Sequence, residues 1–220
     1  MIRDAVLLPD WALWSSALVA LAVLLFAIRT YHWPALRDNR SAQHFFAGSV
    51  VALAVLWNMQ AGILPGLSFH LMGITAVVLL MGWRLALVVT LLMQVVLTLT
   101  GKLWWGALGY SYLLSCVVPV LFSYAFYLVV VQRLRRNPFV YILIAGFINA
   151  GLTHAVSDIS QSLALWWLNV YTLDLIWHDY LRYLPLMMFP EGVVNGMFIS
   201  GMVVFHTRWL STFDEDSYFR

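Results

Sequence analysis

A chain of 220 residues that is 63% hydrophobic and only 10% charged cannot present an ordinary water-facing surface, because soluble domains carry about 25% charged residues. Its formal net charge of +2 gives no basic footprint for nucleic acid, and a single cysteine, Cys116, excludes an internal disulfide and a cysteine-rich zinc site. Apolar runs of about 20 residues recur, as in membrane-crossing helices, and eleven Trp with ten Tyr suit interfacial belts among lipids. The expected fold is all-α, a polytopic membrane protein in which residues 1–220 form a single transmembrane domain.

The first span is expected from Trp11 to Ile28, and it reads as a retained helix because no small-residue cleavage site follows it. A polar loop with Arg29, Arg37 and Arg40 leads to a second span over Gln43 to Ala61. Pro65, Gly66 and Ser68 then interrupt the pattern before a short third span, Phe69 to Gly82. The short third span must lean on a partner or start below the membrane surface. The fourth covers Trp83 to Thr100, and the fifth Ala107 to Val131, ending at Arg133, Arg135 and Arg136. Pro138 opens the sixth, as proline suits a first helical turn. Its apolar character continues past Asp158 to Tyr171, so one long helix or a helix with a re-entrant piece both fit. The last span covers Tyr183 to His206, before an acidic tail at Asp214, Glu215 and Asp216.

About seven spans put the termini on opposite sides, and the arginine and lysine bias chooses the orientation. With the N-terminus outside, nine of the 12 basic residues (Arg29, Arg37, Arg40, Arg84, Arg133, Arg135, Arg136, Arg208 and Arg220) fall inside. Only Arg3, Lys102 and Arg182 fall outside. Met1 and His70 then share the outer side.

Ionisable groups at membrane depth are costly and therefore functional or paired. His70, between two apolar runs, reads either as a helix-start histidine bonded to a carbonyl or as a metal ligand. Met72 is a soft donor two residues on. Glu191 reads as a buried carboxyl that supports a neighbour or takes part in a site, and Gly192 with Gly196 forms a GxxxG pattern that admits a close helix. His154 and Asp158, at i and i+4, share one helix face. They read as a structural pair or as a carboxylate orienting an imidazole behind a metal site. Asn58, Gln60, Asn149 and Asn195 could join helices or line a polar path. The sequence holds no P-loop, GxSxG elbow or HExxH motif, and no enzymatic activity is expected.

Three segments resemble the CbiM/NikM family, the membrane substrate-binding permease subunits of energy-coupling-factor importers for cobalt and nickel. Pro65 to Gly73, with Ser68-Phe69-His70-Leu71, is similar to the family's proline–glycine turn and Ser-x-His-Leu stretch, and Ala76 to Trp83 follows it. Trp105 to Tyr110, running on to Val118-Pro119, resembles a family helix entry, and Glu191-Gly192 its Glu-Gly element. The resemblance implies a divalent ion held by the terminal amine, a histidine at position 2 and an internal histidine, which maps to His70. Here position 2 is Ile2, the family asparagine is replaced near Tyr110, and the histidine before the Glu-Gly element is missing at Tyr183-Leu184-Pro185. The remaining ligands would come from the Met1 amine, Met72, or a carboxylate such as Asp10 or Glu191.

The expected function is the substrate-binding membrane subunit of a transition-metal importer of the bacterial plasma (inner) membrane. The ion would be Co, Ni, Cu or Zn, with ATPase and transmembrane coupling subunits as partners. The altered chelate instead suits an accessory or structural subunit of a larger membrane complex, and haem held by His70 and His154 is a third reading.

Overall fold

The computed structural model describes residues 8–218. Helix α1 (Asp10–Thr30) follows Pro9 in extended conformation and carries Asp10 in its first turn, where a negative charge favours the helix dipole. A polar turn leads to α2 (Arg40–Asn58). Asn39 caps α2 by accepting from the Ala42 amide at 3.1 Å.

The chain then forms a two-stranded antiparallel hairpin, β1 (Gln60–Leu64) and β2 (Leu67–His70), with Gln60 opposite His70. Gly66 supplies the positive φ, 88°, that the turn requires. The all-α expectation did not include these strands. They replace the end of the expected second span and the start of the third.

Helix α3 (Ile74–Leu99) is interrupted at Gly82, where φ 75° and ψ 166° lie outside helical space. This is the sequence boundary between the expected third and fourth spans. Gly73 abuts Leu53 and Leu56 near the end of α2. Leu80 and Met81 line a cavity with Asn39, Ser41 and Ala42 at the start of α2. Residues 74–81 therefore run antiparallel to α2. After the break, Arg84 donates to Thr30 Oγ1 at 2.9 Å, at the end of α1. Leu91 and Val95 then line a groove with Leu13 and Trp14, near the start of α1. The second limb thus runs back antiparallel to α1. The carbonyls released at the break are used: Leu80 O accepts from the Ser211 amide at 2.8 Å and Leu79 O from Thr212 Oγ1 at 2.6 Å.

A continuous helical stretch α4 (Trp105–Arg133) follows, with a wider π-helical segment at Leu113–Val117. The sixth expected span is one long helix, α5 (Pro138–Trp167). A short helix α6 (Leu173–Asp179) and then α7 (Leu184–Phe205) complete the bundle. The GxxxG reading of α7 holds: a Cβ on Gly192 would meet Phe147 O at 3.0 Å, and one on Gly196 would meet Phe147 Cβ at 3.1 Å. Only glycine lets α5 and α7 approach this closely.

Among the described residues, five helical stretches are long and apolar enough to cross a membrane: α1, α3, α4, α5, and Leu173–Phe205, which holds α6 and α7. The sequence-based count of seven differs from this in two places. Helix α2 begins with Arg40, Gln43 and His44, which lower its hydropathy. Helix α3 counts once by length, although Gly82 divides it.

Candidate metal-capture site

His70 ends β2, and pairing with β1 fixes its backbone. Its ring is buried and sits edge-on to Trp57, with centroids 4.3 Å apart. Trp57 is itself anchored, because its indole N–H donates to Met72 O at 3.0 Å. His70 Nδ1 lies 3.4 Å from Ser68 O. A carbonyl can only accept, so this contact assigns the proton to Nδ1 and leaves a lone pair on Nε2. Among the described residues, His70 Nε2 is buried without a hydrogen-bond partner. That is the ligating state of an imidazole.

A cavity of about 20 Å³ adjoins the ring, lined by Ser68, Tyr110, Ser111, Ser115 and Gln161 together with Trp57, Gly66 and Leu114. Such a volume admits a single water-sized species. The hydroxyl of Tyr110 is a second buried group without a partner. Ser111 Oγ accepts from Gln94 Nε2 at 3.2 Å, and Gln94 Oε1 also lacks a partner. The cavity lining therefore brings His70 together with the hydroxyl-bearing Ser68, Tyr110, Ser111 and Ser115 and the amide of Gln161.

The other expected ligands lie differently. Met1, together with Ile2, lies outside the described residues. Met72 is buried in an apolar cluster with Leu53, Trp57 and Ile74 and does not line the cavity. Asp10 is exposed on α1 and lines a different, apolar groove between α1 and α4. Glu191 is buried on α7, where one oxygen accepts from the Met72 amide at 2.7 Å and the other from the Gly73 amide at 2.8 Å. Asn195 Nδ2 donates to the same carboxylate at 2.8 Å, and Asn195 Oδ1 accepts from the Ala76 amide at 2.9 Å. The carboxylate thus caps the first turn of α3 from another helix, where orphan amides and the helix dipole favour an anion. Its place is behind the His70 segment, holding its main chain. Among the described residues, no three His, Cys, Asp or Glu side chains converge as a metal cluster.

His154 and Asp158 do meet, with Nε2 and Oδ2 3.2 Å apart and side chains 1% and 4% exposed. The pair lies within electrostatic range of His70 and of Glu191. Tyr180 was missed by sequence reasoning. Its ring stacks on Phe69 at 4.5 Å, and its hydroxyl donates to Ser68 O at 3.4 Å and reaches Asp158. Nothing in its sequence context separates it from the other nine tyrosines.

A family model described as the cobalt uptake substrate-specific transmembrane region, CbiM, matches residues 2–209. The chain belongs to the CbiM family. Its fold is similar to that of a crystal structure of a truncated transition metal transporter, with TM-score 0.76 and 15% identity over 94% of this chain and 100% of that one. A second transition metal transporter structure gives TM-score 0.67 and 16% identity over 94% of this chain and 92% of that one. At these identities the likeness is one of fold. No curated protein matches the sequence significantly. CbiM membership, with the apolar helices above, makes the chain a multi-pass membrane component of metal uptake.

Proposed function

We propose that this CbiM-family chain is the substrate-binding membrane subunit of an energy-coupling-factor importer, and that it captures a transition-metal dication at His70. The observation that carries the reading is His70 Nε2, a buried lone pair without a partner among the described residues, beside a cavity of about 20 Å³ lined in part by hydroxyl and amide side chains. The cavity oxygens of Ser111, Ser115, Tyr110 and Gln161 would complete the coordination, together with the Met1 amine. Glu191 serves as a clamp on the ligand-bearing segment. One imidazole with oxygen donors suits Co, Ni or Zn better than Cu(I), which prefers sulfur. With seven crossings in a bacterial inner membrane, the basic-residue bias supports the N-terminus outside. ATPase and coupling subunits would supply the energy.

Purified wild type and His70→Ala, exposed identically to Co, Ni, Cu and Zn, test this by metal content from mass spectrometry. The variant is expected to keep its melting temperature and lose the ion. Equal metal in both, or none in either, overturns the proposal. The accessory-subunit reading, favoured by Ile2 and by the lack of three converging ligand side chains among the described residues, would then take its place.

A further inference from the structure

One face of α5 carries buried polar side chains that metal capture does not use. His154, Asp158 and Ser162 recur at helical spacing, each 3% exposed or less, with Ser157 beside them. His154 and Asp158 face each other at 3.2 Å, yet neither ring nitrogen of His154 nor Asp158 Oδ2 has a hydrogen bond of good geometry, and Ser162 Oγ has no partner. A carboxylate buried in this way needs a proton or a cation at hand. Among the described residues no lysine or arginine is buried. The remaining titratable groups in range are Glu191 from α7, Tyr180 just after α6 and His70 from β2. Glu191 is committed to the amides of Met72 and Gly73. Only His154 is placed to hold the balancing charge of Asp158.

Two routes join this pair to the cavity. Tyr180 reaches Asp158 and donates to Ser68 O, the carbonyl that also faces His70 Nδ1. Gln161, which lines the cavity, donates to Ser157 Oγ at 3.1 Å and Ser157 O at 3.3 Å, one residue before Asp158.

We infer that the His154–Asp158 pair is a proton-holding site coupled to capture at His70, and that it gives up one proton when a dication is seated. This inference rests on the capture reading above. In the step, a metal–nitrogen bond forms at His70 Nε2 and the Nδ1–H bond of His154 breaks, Nε2 keeping the proton that faces Asp158. The proton leaves to solvent, Asp158 stays ionised, and the pair passes from neutral overall to one negative charge. That charge offsets part of the dication, while the Glu191 carboxylate stays on the Met72 and Gly73 amides. No electrons move.

The experiment titrates Co2+ or Ni2+ into the full-length protein in detergent and counts released protons, by calorimetry in two buffers of different ionisation enthalpy. Wild type is expected to release about one proton more per ion than His154→Gln, since metal binding and proton release are linked. His154→Gln should still bind, about tenfold more weakly. Asp158→Asn is the second variant and should show the same loss of one proton. In wild type alone, the infrared difference spectrum on ion binding should show loss of a protonated imidazole signal, which needs no variant. Equal proton counts in wild type and variants, or an unchanged imidazole signal, overturn the coupling while leaving capture at His70 standing. Absence of ion binding to wild type, or undiminished binding in His70→Ala, overturns the capture reading and this inference with it.

Discussion

Glu191 accepts the Gly73 amide at 2.8 Å, across 118 positions of sequence. The same carboxylate holds Met72 and is itself held by Asn195. An element near the end of the chain therefore fixes the main chain that directly follows His70.

The first prediction concerns this clamp. Glu191→Ala would leave the Met72 and Gly73 amides buried without acceptors. The cost should be at least about 2 kcal/mol, given charge-assisted hydrogen bonds of about 1.5–3 kcal/mol each. Glu191→Gln keeps one acceptor oxygen and should recover part of the loss. Thermal melting in detergent orders the three proteins. Equal melting of the Ala and Gln variants would refute the clamp.

Gly73 gives the second. Its φ is 66°, and a Cβ there would lie 2.9 Å from Leu53 Cδ2. Gly73→Ala should cost about 1–2 kcal/mol from the left-handed backbone alone. Gly48→Ala is the control, since nothing lies within 4 Å of its Cβ position. That helical site should gain up to about 1 kcal/mol. Melting curves of both variants check the contrast, and a Gly73→Ala protein as stable as Gly48→Ala would contradict it.

The third uses two pairs of matching composition. His154–Asp158 and His178–Asp174 both span 3.2 Å at i,i+4 spacing, but the first is buried and the second is 59% and 88% exposed. Breaking a buried pair leaves an uncompensated group and costs about 3 kcal/mol. Exposed pairs contribute little. Asp158→Asn should lower the melting temperature clearly and Asp174→Asn should not move it. Equal shifts would show that burial is not the deciding factor.

The buried pair was legible from spacing alone, as was the close approach allowed by Gly192 and Gly196, because both are local properties of one helix. The break at Gly82 also fell where the sequence divides two spans. The hairpin was not legible. Gln60–Leu64 and Leu67–His70 are too short and too apolar to separate from helix ends by pattern. The partners of Glu191 and Tyr180 were hidden for another reason: both residues act on the hairpin segment from more than 100 positions away. Met72 looked like a donor because composition reports element type and not direction, and its side chain turns into the core.

The fourth prediction is topological. The basic cluster Arg133, Arg135 and Arg136 should face the cytoplasm. In a Cys116→Ser background, a cysteine at position 135 should resist an impermeant thiol reagent in intact cells and react after lysis. Labelling in intact cells would reverse the orientation.

Because the chain turns back at Gly82, the limb beyond His70 is only residues 74–81, about 12 Å of helix at about 1.5 Å per residue. It stops beside Arg84 and Thr30, at the charged end of the bundle. Helix α2, antiparallel to this limb, has 19 residues, about 28 Å at the same rise, and His70 packs on Trp57 near its far end. The limb alone is less than half as long as a hydrocarbon core of about 30 Å, and residues 71–73 with the hairpin continue it along α2. Strand pairing and the Glu191 carboxylate satisfy the main chain of that non-helical stretch, which is the condition on which irregular backbone is tolerated among apolar helices.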